Sequence, residues 1–313
     1  MKSLVCCLAA LILASMLTHA DAPTAAQSVS GYLATHGYFA AKVKCADPSQ
    51  LNAQSVEAYV NGHEVTLLVD TGSPNTYLTY ERARSLGLNI QQLQKEEWGV
   101  GGVISGKVGI AAIQNFKLRF GDINHTSALL VLSKNAVLSD GLDGILGADY
   151  LALNAAIFPV GGTGILFRPG PVANVPLAGY MAKSHFTGVP MSSGHGHIWV
   201  TGYLYGKPLD LVIDSGAMYS NLRASAVRNV MGPNALDSSQ SFFTQGLDGL
   251  RETSFYFTPA RFLLGSLDVS HQTVLASDSA GFDKDKYDGL AGFDLLAKHQ
   301  AIIDFNNGML WMH

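Results

Sequence analysis

Cysteine is nearly absent from this chain. Only Cys6, Cys7 and Cys45 occur in 313 residues. The first two lie in an N-terminal stretch that reads as an export signal, so a processed chain would keep Cys45 alone. That excludes an internal disulfide, and stability must come from the core. Cys45 has no histidine near it in sequence and is assigned no role. Charge is also sparse: Asp, Glu, Lys and Arg make up 14% of the residues, the formal net charge is −4, and no basic run exists. This leaves no electrostatic footprint for nucleic acid or an anionic membrane. Long apolar runs are missing except for Leu4–Leu17, which is short for a membrane span. Lys2 precedes it and Thr18-His19-Ala20 follows it. Residues 1–20 therefore read as a signal peptide, with Ala20-Asp21-Ala22 as a second possible exit. The expected location is exported, periplasmic or secreted, with no stable membrane insertion once the signal is removed.

What is abundant points to β structure. Hydrophobic residues make up 48% of the chain and there are 33 glycines. Short Val/Ile/Leu/Phe runs alternate with Gly, Asn and Asp, as in a mostly-β protein. The length suits one large or two medium domains.

Two of those runs carry the same device. Leu68-Val69-Asp70-Thr71-Gly72 and Val212-Ile213-Asp214-Ser215-Gly216 lie 144 residues apart. Each is an apolar strand that ends in an Asp, a small hydroxyl residue and a Gly turn. A carboxylate at the end of an apolar strand is costly to desolvate unless something uses it. Two such carboxylates suggest a pair that shares one proton and one water.

The same offset extends along the chain. Val60-Asn61-Gly62-His63 lies over Leu204-Tyr205-Gly206-Lys207, and Leu118-Arg119-Phe120-Gly121 over Phe262-Leu263-Leu264-Gly265. After a slip of one residue, Asp143-Gly144-Ile145-Leu146-Gly147 lies over Asp288-Gly289-Leu290-Ala291-Gly292. This is an internal duplication. Each repeat predicts strands joined by a tight hairpin, the Asp turn, a short helix, more strands, a second short helix and a closing hairpin. The helices are expected near Tyr80–Leu86, after Gly147, near Arg223–Met231 and near Asp294–Lys298. The closing hairpins are expected at Gly161-Gly162 and Asn306-Asn307-Gly308. The boundaries read as 1–20 signal, 21–55 extension or pro-segment, 56–168 first lobe, 169–197 interlobe connection and 198–313 second lobe. Residues 21–55 show no counterpart in the second half, and Val172–Leu177 is apolar enough to pair as a strand.

An apolar-apolar-Asp-Thr/Ser-Gly sequence followed about 75 residues later by apolar-apolar-Gly resembles the aspartic protease clan. Each half is similar to a retropepsin-like domain of the bacterial putative aspartyl proteases, over roughly 56–168 and 198–312. The resemblance implies two homologous β-barrel lobes with short helices, related by a pseudo-twofold axis. It implies Asp70 and Asp214 as the catalytic pair of a peptide hydrolase with no metal or organic cofactor. Thr71 and Ser215 would lock the two turns together, while Gly72 and Gly216 let them approach. Ile145, Leu146 and Gly147, and Leu290, Ala291 and Gly292, would brace the turns from beneath. Ser73 would bond the outer oxygen of Asp70, with Ala217 in its place in the second lobe, so the carboxylates need not be equivalent.

The Gly-rich segment around Trp98, Gly101 and Gly102 fits a substrate flap, and Phe242 and Gly246 overlie Trp98 and Gly102 at the same offset. An extended peptide or unfolded protein is the implied partner, held by strand-like backbone pairing. The chain is expected to be a monomer whose own lobes pair. Two other readings fit the same residues: a peptide-binding module that has lost turnover, and lobes that pair between chains. Unlike pepsin-like acid enzymes, the chain is not depleted in basic residues, so the expected pH optimum is mildly acidic to near neutral. His195 and His197 have metal-compatible spacing but no third ligand nearby, and no metal is assigned. Asp143 and Asp288 read as turn formers, and Asn124-His125-Thr126 as a sequon that matters only in a eukaryotic secretory pathway.

Overall fold

A computed structural model describes residues 25–47, 50–93, 109–118, 128–134, 136, 138, 141–168, 177–245, 251–277 and 287–313. Residues 1–20, read as a signal peptide, and Trp98, Gly101, Gly102 and Gly246, read as flap positions, lie outside the described residues. The architecture is mostly β, in two lobes built on the same plan.

Each lobe begins its barrel with a hairpin. In the first, Gln50–Val60 pairs antiparallel with His63–Val69. In the second, His197–Leu204 pairs with Lys207–Ile213. Both turns hold two residues with positive φ, Asn61 at 51° and Gly62 at 84°, and Tyr205 at 48° and Gly206 at 81°. This is the geometry that matches the twist of a tight hairpin. Burial repeats too. Val65, Leu67, Leu68 and Val69 are buried, as are Leu209, Leu211, Val212 and Ile213. The three apolar residues before each Asp are thus enclosed on both faces, and each strand delivers its Asp from a rigid base.

The expected short helices form at Tyr80–Ser85, Ala148–Leu153, Ala224–Met231 and Phe293–Lys298. Thr79 caps the first by accepting a bond from the Arg82 N–H at 3.2 Å, as a hydroxyl N-cap should. Asp143 and Asp288 do more than turn the chain. Each carboxylate accepts a backbone N–H from the neighbouring strand, from Thr66 at 2.9 Å and from Asp210 at 3.0 Å.

The lobes share one sheet. Both closing hairpins, Ile157–Pro159 with Gly164–Phe167 and Ile302–Asp304 with Met309–Met312, enter it. They meet through Ile157↔Asp304, Phe158↔Ile303 and Pro159↔Ile302. Phe158 and Ile303 are equivalent residues of the two repeats, so the pseudo-twofold axis passes between them. Both are fully buried, and enclosing each such side chain stabilises by about 1.5–3 kcal/mol.

Two sequence expectations need correction here. Residues 25–47 do have a counterpart. The helix Ala25–Thr35 and strand Phe39–Asp47 correspond to the helix Leu177–Lys183 and strand Thr187–Pro190. Phe39 pairs with Phe167, and Thr187 with Met312, at the two flanks of the shared sheet. Gly31-Tyr32-Leu33-Ala34 matches Gly179-Tyr180-Met181-Ala182, but at a different offset. The hairpin that follows the first strand has a tip four residues longer than its counterpart, 47–52 against 195–196, which breaks the constant spacing. Tyr32 and Tyr180 stack at 4.1 Å across the axis. The segment 169–197 is accordingly more than a connection. Leu177 opens a helix and not a strand, while 172–176 lie outside the described residues.

Candidate active site

Asp70 and Asp214 converge. The two carboxyl groups face each other, each beside the glycine of the opposite turn, and both come from one chain. The approach is close enough that a methyl built on Gly72 would sit 2.3 Å from the Asp214 Cγ, and one on Gly216 2.4 Å from the Asp70 Cγ. Only glycine leaves room for that.

Four hydrogen bonds lock the turns. The Thr71 hydroxyl donates to the Ile213 carbonyl at 2.8 Å and accepts the Ser215 N–H at 3.1 Å. The Ser215 hydroxyl donates to the Val69 carbonyl at 2.9 Å and accepts the Thr71 N–H at 3.1 Å. Thr71 and Ser215 are fully buried, so each bond is costly to leave unmade.

Each turn is also braced from its own lobe. Ile145 and Leu146 run parallel to Leu68 and Val69, and Leu290 and Ala291 to Val212 and Ile213. The Asp70 N–H donates to the Leu146 carbonyl at 3.1 Å and the Asp214 N–H to the Ala291 carbonyl at 3.0 Å. A methyl on Gly147 would meet the Asn75 carbonyl oxygen at 2.2 Å, and one on Gly292 the Tyr219 carbonyl carbon at 2.6 Å. These glycines are small because the turn lies directly on them.

The two carboxylates have matching cradles. Asp70 Oδ1 accepts the Gly72 and Ser73 N–H groups at 2.9 and 3.0 Å. Asp214 Oδ1 accepts those of Gly216 and Ala217 at 3.0 and 2.8 Å. The expected Ser73 hydroxyl bond to Asp70 is absent: that hydroxyl donates to the Asn75 carbonyl at 2.9 Å. Ser73 therefore supports the turn through its backbone, as Ala217 does, and creates no asymmetry. Phe242 stands in the hairpin Ser241–Gln245 and Arg251–Phe257, stacked on Tyr256 at 4.4 Å.

Asp149 and Asp294 form a second symmetric pair that the sequence reading passed over. Asp149 Oδ1 accepts the Thr76 hydroxyl and Asp294 Oδ1 the Ser220 hydroxyl, both at 2.7 Å. Those hydroxyls in turn accept the Gly147 and Gly292 N–H groups at 3.1 and 2.9 Å. The signal was present as Gly-x-Asp in both repeats, two residues past each apolar-Gly element.

Burial, then the neighbouring Asp214 charge and its hydrogen bond, hold the Asp70 carboxyl well above the ordinary carboxylate range. Burial also raises Asp214, against its two backbone donors. Two touching carboxylates cannot both ionise cheaply, so the pair keeps one proton and titrates as a unit. Asp294 and the fully enclosed Asp304 are likewise raised by burial. A carboxyl raised on folding binds more protons in the native chain than in the unfolded one, so stability falls as pH rises through the folded values. The melting temperature should therefore climb as pH drops from 7 towards about 4, where unfolded carboxyls titrate. Each kcal/mol gained is worth about 2–4 °C in a chain of this size class. Thermal melts across that range check it, and a midpoint that falls on acidification would refute it.

A two-lobed β fold that joins one Asp turn from each lobe on a pseudo-twofold axis defines the aspartic protease clan. Residues 56–150, within the first lobe, match the family model described as aspartyl protease. Similar solved structures include an aspartic proteinase from Irpex lacteus, at 14% identity over 88% of this chain and 97% of that one, with a TM-score of 0.48. Basic 7S globulin from soybean is another, at 11% identity over 88% and 96%, with a TM-score of 0.45. A search of curated proteins returned no match.

Proposed function

We propose that this chain is an exported aspartic endopeptidase that works as a monomer. The observation that supports this reading best is the convergence of Asp70 and Asp214, each against the glycine of the opposite turn, within a cradle of four backbone N–H groups. The ionised member takes a proton from a water held between them, and the water attacks the scissile carbonyl. The protonated member donates to that carbonyl oxygen, and the proton positions then reverse as the amine leaves. No covalent intermediate forms on the chain. An extended peptide is the substrate in this reading, held by strand-like backbone pairing. Export rests on residues 1–20; no described helix is long and apolar enough to cross a membrane.

Incubating purified residues 21–313 with an unstructured protein and a peptide library tests the reading. Cleavage should be endoproteolytic and inhibited by pepstatin-like compounds. The active species should elute as one chain, with an optimum in mild acid to near neutrality. Peptide binding without hydrolysis from about pH 3 to 8 would replace the enzyme with a binding module. A rate maximum below about pH 3 would contradict the expected working range.

A further inference from the structure

The cradle is symmetric, but its surroundings are not. The hairpin that leads into the second lobe turns at His195 and Gly196, with φ of 51° and 81°. A methyl on Gly196 would lie 2.5 Å from the Pro74 Cβ, so this turn rests on the catalytic loop of the opposite lobe. Immediately after it, Trp199 pairs with Val212. The pairing ends there, and the same register carried two residues further would bring His197 opposite Asp214. Residues paired in this way point to the same face of a sheet. At the same register position beside Asp70 the chain has Ala53, which carries no charge.

The His197 ring is held in place. It meets Tyr287 edge to face at 5.5 Å. Tyr287 is buried and its hydroxyl donates to the Gly194 carbonyl at 3.3 Å, across the same hairpin. The titratable groups that face this imidazole include Asp214 and Tyr287. The electrostatic pull of His197 acts on Asp214 and opposes its upward shift.

Building on the protease reading, we propose that His197 is a positioning residue that breaks the symmetry of the pair: its positive charge keeps the negative charge on Asp214 and so the shared proton on Asp70. An imidazole ordinarily charges below about pH 6.5. The bias is therefore present while His197 carries its proton and is lost at the pH where it gives that proton up. Asp70 then begins the cycle as the acid that faces the scissile carbonyl, and Asp214 as the base for water.

The test reads the carboxyls directly. The full chain from residue 21 is labelled with 13C at Asp Cγ and titrated by NMR, with the dyad signals assigned through Asp70→Asn and Asp214→Asn. In His197→Gln the first ionisation of the pair should move up by about one pH unit, and His197→Lys should return it towards the wild-type value. The acid limb of the cleavage profile should move with it. An unshifted titration in His197→Gln overturns the proposal, and an equal shift in His197→Lys assigns the effect to packing instead of charge. Should these variants not fold, linkage supplies the same measurement in reverse: Asp214→Asn should lower the His197 titration by the same amount, and an unmoved imidazole refutes the coupling. The two readings fail separately. A chain that cuts no peptide but shows the shift loses the protease reading and keeps this one, whereas a chain that cuts with an unshifted titration does the opposite.

Discussion

Asp70→Asn and Asp214→Asn will each abolish cleavage and at the same time raise the melting temperature at pH 7. The two effects share one cause. The pair sits in a place that costs stability: Asp70 is 8% exposed, and its neighbour is another carboxyl with which it must share a proton. The side-chain ion pairs among the described residues include Lys44–Glu57 and Arg82–Asp143, and neither of these involves the dyad. An Asn in either position keeps the shape, and its carbonyl oxygen can still accept the two backbone N–H groups of the cradle. The repulsion and the buried charge disappear, so the fold gains. Chemistry loses the group that removes a proton from water or supplies one to the carbonyl, a contribution of about 10²–10⁴-fold for a single acid or base. Cleavage rates of each variant beside thermal melts at pH 7 check both halves. Full activity in both single variants would rule the dyad out. Loss of activity with a lowered melting temperature would mean that the carboxylates hold the lobes together, not that they strain them.

The dyad was legible in sequence for a physical reason. A carboxylate carried by a buried strand needs the same local chain wherever it occurs, so Leu68–Gly72 and Val212–Gly216 resemble each other at a fixed spacing. Gly147 and Gly292 were legible because backbone lies on them and forbids a side chain. What stayed hidden depends on partners distant in sequence. Nothing local to Phe158 announces that it pairs with Ile303 across the lobe boundary. The helix Ala25–Thr35 was missed because the longer hairpin tip at 47–52 moves its repeat partner from an offset of 144 to 148, outside the constant alignment. The Ser73 hydroxyl was misassigned because a rotatable group can turn to whichever acceptor the fold presents, and Asn75 presents one at 2.9 Å. Asp304 stands two residues before the Asn306-Asn307-Gly308 turn and received no reading from the sequence. Its carboxylate is fully enclosed, where it accepts the Asn307 N–H at 3.0 Å and the Trp311 indole N–H at 3.2 Å.

Gly72→Ala and Gly216→Ala should each damage both stability and cleavage. The added carbon has no room at either position, with the opposite Cγ at 2.3 or 2.4 Å. A flexible neighbour would swing aside, but these carboxylates cannot. Asp214 is pinned by Gly216 and Ala217, Asp70 by Gly72 and Ser73, and both turns by the Thr71 and Ser215 bonds. The strain must therefore separate the carboxylates or part the lobes. Overpacking of this kind costs about 1–3 kcal/mol, and displacement of a reacting group by about 1 Å costs roughly 10²-fold in rate. Gly179→Ala provides the contrast. It lies on an exposed face of the helix Leu177–Lys183 with nothing within 4 Å of the added methyl. Replacing a helical glycine by alanine there should stabilise the chain by about 0.5–1 kcal/mol and leave cleavage unchanged. If Gly72→Ala retains full activity and stability while Gly179→Ala behaves as expected, the two Asp turns do not approach as closely as described, and the shared proton that gives the pair its chemistry has no basis.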